Sequence, residues 1–99
     1  MANCKFTNKA VCDLTQIWNY TYHSWSEIKA DKYYHMLLAN CREIAKNPAI
    51  GNNYSFISEN LYGYKVGRHI IFYRTLENNE VEITRILHEQ MDIRNRIKD

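Results

Sequence analysis

Apolar residues recur at three- and four-residue steps through the first half of the chain, and on alternating positions through most of the second half. Val11, Leu14, Trp18, Tyr22 and Trp25 form one such stripe, with Asp13, Gln16, Asn19 and His23 on other faces of the same cylinder. That spacing predicts an amphipathic helix of about five turns, capped by Thr7 or Asn8 and preceded by an edge strand over residues 4–6. Ala30, Tyr33, Tyr34, Leu37, Leu38, Cys41, Ile44 and Ala45 fit the i, i+3, i+4, i+7 template of a second helix. Ser24 with Glu27, or Ser26, supplies its cap, and Asn47-Pro48 its stop. So short a connection makes the two helices an antiparallel hairpin.

After Gly51 the period becomes that of strands. Residues 54–61, 66–74 and 81–92 carry the predicted strand runs, the last leading into a terminal helix near residues 91–98, capped by Asp92 with Asn95 in the position that can reciprocate and anchored by Met91. The expected order is β-α-α-β-β-β-α: an α+β, two-layer domain spanning residues 1–99, with the helical hairpin on one face of a mostly antiparallel sheet. The other sheet face is expected to remain open to a partner.

A two-residue turn at Asn78-Asn79 would pair residues whose numbers sum to 157, setting Phe72 opposite Arg85, Ile70 opposite Leu87 and His69 opposite His88. Alternation then gives one face to Ile70, Phe72, Leu76, Val81, Ile83 and Leu87, suited to packing on the helices. The other receives His69, Ile71, Tyr73, Thr75, Glu82, Thr84, Ile86 and His88, a half-polar groove. Arg74 and Arg85 fall on the apolar side and need partners, because a buried charge stripped of its partner costs roughly 3–5 kcal/mol.

With 99 residues, 45% of them hydrophobic, the chain has material for one modest core. Aromatic content is high at 13%, so some rings are expected to face a partner. A net charge of +2 is too small to argue nucleic-acid binding by itself. The odd number of cysteines (Cys4, Cys12, Cys41), without CxxC spacing, implies neither a disulfide framework nor a zinc site, and buried free thiols are expected. No apolar run approaches the ~18 residues of a membrane span and none resembles a leader, which places the expected protein in the cytoplasm.

Few residues carry candidate chemistry. His69 and His88 read either as a cross-strand contact on a partly wet surface or as an acid-base pair, with no nucleophile or carboxylate fixed beside them by sequence. Lys65, Arg68, Tyr62 and Tyr64 precede the hairpin and form either a solvated basic loop or a grip on phosphate and bases. His23 and His35 share no ligand spacing, and no metal or cofactor is expected. The Trp18, Tyr22, Trp25 stripe is either core or docking surface.

The wording of the chain also resembles a family. The strand Gly67-Arg68-His69-Ile70-Ile71-Phe72-Tyr73-Arg74 is followed by Arg85-Ile86-Leu87-His88 with Met91-Asp92. Earlier come Asp13-Leu14, Ile17-Trp18, Trp25, Ala30-Asp31-Lys32-Tyr33 and the run from Ile44 to Gly51. This ordered set is similar to the ParE branch of the RelE/ParE toxin superfamily, and it covers nearly the whole chain. The resemblance implies a toxin of a type II toxin-antitoxin pair, poisoning DNA gyrase by binding and neutralised by a small acidic, ParD-like antitoxin. Carried over to this sequence, it implies a target-binding surface of Arg85, His88, Met91, Asp92, Arg94 and Arg96, and an antitoxin surface of Trp18, Tyr22, Trp25, His69 and Tyr73. The RelE branch instead implies a ribosome-dependent mRNA endonuclease, for which Lys65, Arg68, His69, Arg74 and His88 are the available residues. Glu89-Gln90 stands where that branch tends to carry a basic cluster, which argues against phosphodiester cleavage because the developing phosphorane charge requires cations. A third reading is an inactive relative that only binds an antitoxin.

Overall fold

A computed structural model describes residues 4–77 and 80–98. Strand β1 (Cys4–Phe6) leads into helix α1 (Asn8–Ser24), helix α2 (Glu27–Lys46) and a 3-10 turn, Pro48–Ile50. Strands β2 (Asn52–Asn53), β3 (Tyr62–Val66), β4 (His69–Thr75) and β5 (Val81–His88) follow, then helix α3 (Ile93–Lys98). The sheet order is β1-β5-β4-β3-β2, antiparallel except that β1 runs parallel to β5 as an edge strand.

Local chemistry fixes the helix ends as their sequences predict. Thr7 Oγ1 accepts from the Ala10 amide and Ser26 Oγ from the Lys29 amide, each satisfying a donor that a first turn leaves orphaned. Asn47 closes α2, where Pro48 can no longer continue it. The α2 stripe is as expected: Ala30, Leu37, Cys41, Ile44 and Ala45 are buried, with Tyr33, Tyr34 and Leu38 partly so. The α1 stripe is rotated from the expected one. Its buried residues are Ala10, Asp13 and Leu14, with Ile17 packed behind them, while Val11, Tyr22 and Trp25 are exposed.

Two expectations about the sheet are corrected. Residues 54–61 form a compact loop instead of a strand: the Tyr54 amide and Leu61 carbonyl bond across its neck, Asn53 Oδ1 accepts from the Ser55 amide, and Asn60 takes a positive φ of 59°. The strand is Tyr62–Val66 instead, so Tyr62, Tyr64 and Lys65 lie in the sheet and not in a basic loop.

The second correction concerns the faces. The expected pairs His69–His88, Ile70–Leu87 and Phe72–Arg85 all form. Past Phe72 the register shifts: Tyr73 pairs with Ile83, leaving Thr84 as the extra residue of a β-bulge. The bulge reverses side-chain parity along β5, so Val81, Ile83 and Ile86 share the helix-facing side with Ile71 and Tyr73. Ile70, Phe72 and Leu87, expected under the helices, pack on the opposite face beneath Tyr54, Ile57, Leu61, Ile93 and Ile97. That face is therefore covered by the 54–61 loop and α3, not left open. Since β4 is apolar on both sides, a simple alternation rule had no polar face by which to orient it. Asn78-Asn79, the predicted turn, lies outside the described residues.

Among the thiols, Cys41 is buried, Cys4 is half-buried and Cys12 is exposed, so the expectation of burial fails for Cys12. Burial pushes the Cys41 thiol up to about 12 and raises Cys4, which keeps both protonated and unreactive.

Candidate functional site: a basic-rimmed groove beside strand β5

The tip of the α1-α2 hairpin stands away from the sheet and leaves an open groove of about 1180 Å³ against the end of β5 and the start of α3. Ile17, Tyr20, Trp25 and Met36 contribute its apolar wall, and Ile86 and Leu87 its floor. Lys29, Lys32, Arg68, Arg85 and Arg96 also line it, against a single acid, Asp13.

Asp13 and Arg85 are locked together. The Arg85 Nε and Nη2 donate to the two carboxylate oxygens of Asp13 at 2.8 and 3.1 Å, and Nη1 donates to the Arg96 carbonyl at 2.8 Å. Their side chains are only 15% and 9% exposed. The partner that the sequence required for Arg85 thus comes from a residue expected on a polar face of α1. Its signal was available: Ala10, Asp13, Leu14 and Ile17 satisfy the i, i+3, i+4, i+7 spacing, so the acid sits inside the true apolar stripe. Asp13 Oδ2 also accepts from the Ile86 amide at 3.0 Å, capping the sheet edge where β1 has ended.

At the mouth of the groove, Tyr33 Oη lies 2.6 Å from His69 Nδ1, and the His69 and His88 rings meet edge to face at 5.3 Å. Tyr33 Oη also accepts from the Arg68 amide at 3.2 Å, so the phenol ties His69 to the turn before β4. Burial first, and the neighbouring His88 second, push His69 from 6.5 down to about 4, while burial raises the Tyr33 phenol and keeps it a donor.

Proton linkage follows. In the window from about 6.5 down to about 4 the unfolded chain takes up a proton at His69 that the folded chain refuses, so stability falls as pH drops through it. The loss expected at the bottom of the window is on the order of 2 kcal/mol, reduced from the full linkage value because the ring is partly exposed. Urea midpoints for the wild type and His69→Gln should diverge across this window, the variant being flatter. Parallel curves would assign the proton uptake to another group.

The predicted site residues divide between the groove and other locations. Arg85, His88, Met91 and Arg96 line it together with Trp25, Arg68 and His69. Met91 was expected to anchor α3 in the core but is 42% exposed; Ile93 and Ile97 do the anchoring. Asp92 caps α3 as expected, but Asn95 does not reciprocate: its amide and its side-chain Nδ2 both donate to the Asp92 carboxylate, and Arg94 is exposed on that helix. Trp18 lies outside the groove, its Nε1 donating to Asp31 and its ring stacked on Tyr22 at 5.2 Å. Tyr73 is fully buried, its hydroxyl donating to the Pro48 carbonyl and accepting from the Gly51 amide, so it offers no surface to a partner.

The cations of the alternative nuclease set are dispersed. Lys65 is tied to Glu89 at 2.8 Å, which in turn holds the Glu89 carboxyl below its usual range. Arg74 pairs with Glu82 at 3.4 Å and lines a smaller recess with Ser58, Leu61 and Thr84. Lys29, Lys32, Gln16 and Tyr33 are groove residues that sequence reading did not single out as a site, because they come from two helices whose tip separation only the fold defines. Among the described residues no group of three or more His, Cys, Asp or Glu is placed to hold a metal ion, and no helix is long and apolar enough to cross a membrane.

Comparison with known proteins agrees with this architecture. Residues 4–93 match the family described as the ParE toxin of the type II toxin-antitoxin system parDE. The chain is 31% identical to Toxin ParE1 of Mycobacterium tuberculosis, over 85% of this chain and 86% of that protein. It is 35% identical to Toxin ParE1 of Caulobacter vibrioides, over 91% and 92%. In fold it is similar to a chain of the chromosomal ParDE toxin-antitoxin system of P. aeruginosa, with a TM-score of 0.74 at 19% identity, covering 89% of this chain and 96% of that one. A chain of the RelBE2 toxin-antitoxin complex of Mycobacterium tuberculosis gives 0.69 at 15% identity, covering 89% and 98%. With the family matched across nearly its whole length and two such relatives above 30% identity, the chain belongs to the ParE family of toxins from type II toxin-antitoxin systems.

Proposed function

We propose that this toxin, a single domain over residues 1–99, acts in the cytoplasm by binding and poisoning DNA gyrase, and that a small acidic antitoxin of the ParD type neutralises it. The observation supporting the binding mode is that the cations of the nuclease set do not converge: Lys65 is neutralised by Glu89, and Arg74 stands with Glu82 at the smaller recess, leaving only Arg68 of that set beside the histidine pair. A phosphodiester-cleaving site needs several cations focused on one phosphate, and His69, kept neutral by burial, adds none. Arg94 on α3, together with the groove-lining Arg96, His88 and Met91, forms the surface assigned to the target, so an antitoxin seated in the groove covers part of that surface.

Purified protein should inhibit supercoiling by gyrase or trap cleaved gyrase-DNA complexes, and Arg94→Ala/Arg96→Ala should weaken that effect by about tenfold, the factor that corresponds to roughly 1.4 kcal/mol. Full supercoiling in the presence of excess folded toxin would overturn the reading. One observation favours the ribosome-dependent nuclease as the second reading: Arg68 lies beside the His69–His88 pair at the mouth of the same groove. Codon-positioned cuts in ribosome-bound message, lost in His88→Ala, would support it.

A further inference from the structure

The small net charge of +2 conceals a local concentration of one sign. Lys29 and Lys32 reach the groove from α2, Arg68 from the turn between β3 and β4, and Arg96 from α3. Among the described residues no ion pair involves any of them. The carboxylates close by are already engaged: Asp13 holds Arg85, Glu89 holds Lys65, and Asp31 accepts from the Trp18 indole. The rim therefore carries positive charge that no described side chain offsets.

Aromatic surface is interleaved with that charge. Tyr20 and Trp25 line the same groove and are 71% and 67% exposed. The core does not use them, since α1 is fixed to the sheet through Ala10, Leu14 and Ile17. The Lys29 ammonium stands 4.4 Å over the Trp25 ring, so a cation and an aromatic face are presented together. Exposed rings among separately placed cations suit a single-stranded nucleic acid: successive phosphates meet the cations, and unstacked bases lie on the rings. A duplex keeps its bases stacked on one another and offers the rings no partner. Binding of this kind needs no cleavage chemistry, because cations from three separate elements grip different phosphates instead of focusing on one.

We propose that the tip of the helical hairpin binds single-stranded DNA, with bases stacked on Tyr20 and Trp25 and backbone phosphates held by Lys29, Lys32, Arg68 and Arg96. The choice of DNA rests on the reading that the toxin acts on gyrase, whose cleaved substrate is DNA. The toxin then touches both the protein and the nucleic acid of the complex it traps.

The test uses full-length protein and a fluorescein-labelled oligothymidylate of about ten nucleotides, a length within the usual range for one strand-binding site, with binding read by anisotropy. Log K should fall against log salt with a slope near −3, about 0.7 for each phosphate held, and Lys29→Ala/Lys32→Ala should flatten that slope to roughly half. Trp25→Ala should bind about tenfold more weakly, as loss of one stacked base requires, whereas Trp25→Phe, which keeps a ring, should retain most of the affinity. The duplex of the same length should bind more weakly than the single strand. No binding at about 50 mM salt, a slope near zero, unchanged affinity in Trp25→Ala, or a duplex held as tightly as the strand would each overturn the proposal. Tighter binding of oligouridylate would overturn the assignment to DNA. Supercoiling inhibition on the same preparations separates the two readings: a toxin that inhibits gyrase without binding the strand sinks only this inference, and one that binds the strand while supercoiling proceeds sinks only the gyrase reading.

Discussion

Replacing Asp13 with Ala should destabilise the protein by about 3–5 kcal/mol, the cost of leaving one member of a buried pair without its partner. Three bonds are lost together. Two come from Arg85, and the third leaves the Ile86 amide unsatisfied at a position that is 2% exposed. Against a total stability of about 5–15 kcal/mol for an ordinary domain, the urea midpoint should fall far enough to populate unfolded chains at physiological temperature. Asp13→Leu combined with Arg85→Met should recover much of the loss, because an apolar pair avoids the desolvation that both charges incur. If Asp13→Ala unfolds within about 1 kcal/mol of the wild type, the pair is effectively solvated and the groove floor is not held by it. The same change should loosen α3, whose Arg96 carbonyl is held by the third Arg85 donor. Faster tryptic cleavage after Arg94 and Arg96, at urea concentrations well below the unfolding midpoint, would report that loosening.

Gly51→Ala is expected to cost about 2–4 kcal/mol, summing overpacking with disruption of a buried hydrogen bond. A Cβ at residue 51 would stand 2.3 Å from Tyr73 Oη and within 2.9 Å of its ring. The phenol cannot swing aside cheaply, since Tyr73 is completely buried and its hydroxyl is held by Pro48 and Gly51. It clamps the chain where α2 ends and the sheet begins, so a forced shift would be felt in both. Tyr73→Phe removes the atom nearest the new methyl, and the double variant should therefore be less destabilised than the sum of the single changes. Strict additivity in chemical unfolding would mean that the clash is relieved by backbone movement at residues 48–51 instead. In either variant the groove, on the far side of the hairpin, should keep its shape.

Local chemistry written in the sequence settles much of this protein without reference to distant residues. Thr7, Ser26 and Asn47-Pro48 set the helix limits because caps and prolines act within a turn of their own position. The α2 stripe and the capping of α3 by Asp92 likewise depend on local spacing, whereas the expected pairing of His69 with His88 forms only because the bulge at Thr84 shifts the register by one residue. The resemblance carried by Gly67–Arg74 and Arg85–Asp92 was enough to anticipate the toxin family.

Tertiary structure decided what spacing cannot encode. A single extra residue at Thr84 inverted the side-chain parity of β5, and only the packing of two layers on β4 determines which side of an all-apolar strand meets which cover. Asp13 gained its partner from a residue seventy-two positions away, a contact that exists only after β1 has brought α1 alongside β5. The groove is likewise a property of the assembled fold: its basic rim joins Lys29 and Lys32 of α2 to Arg68 and Arg96 across the hairpin tip, and no periodicity in a linear chain records such a distance.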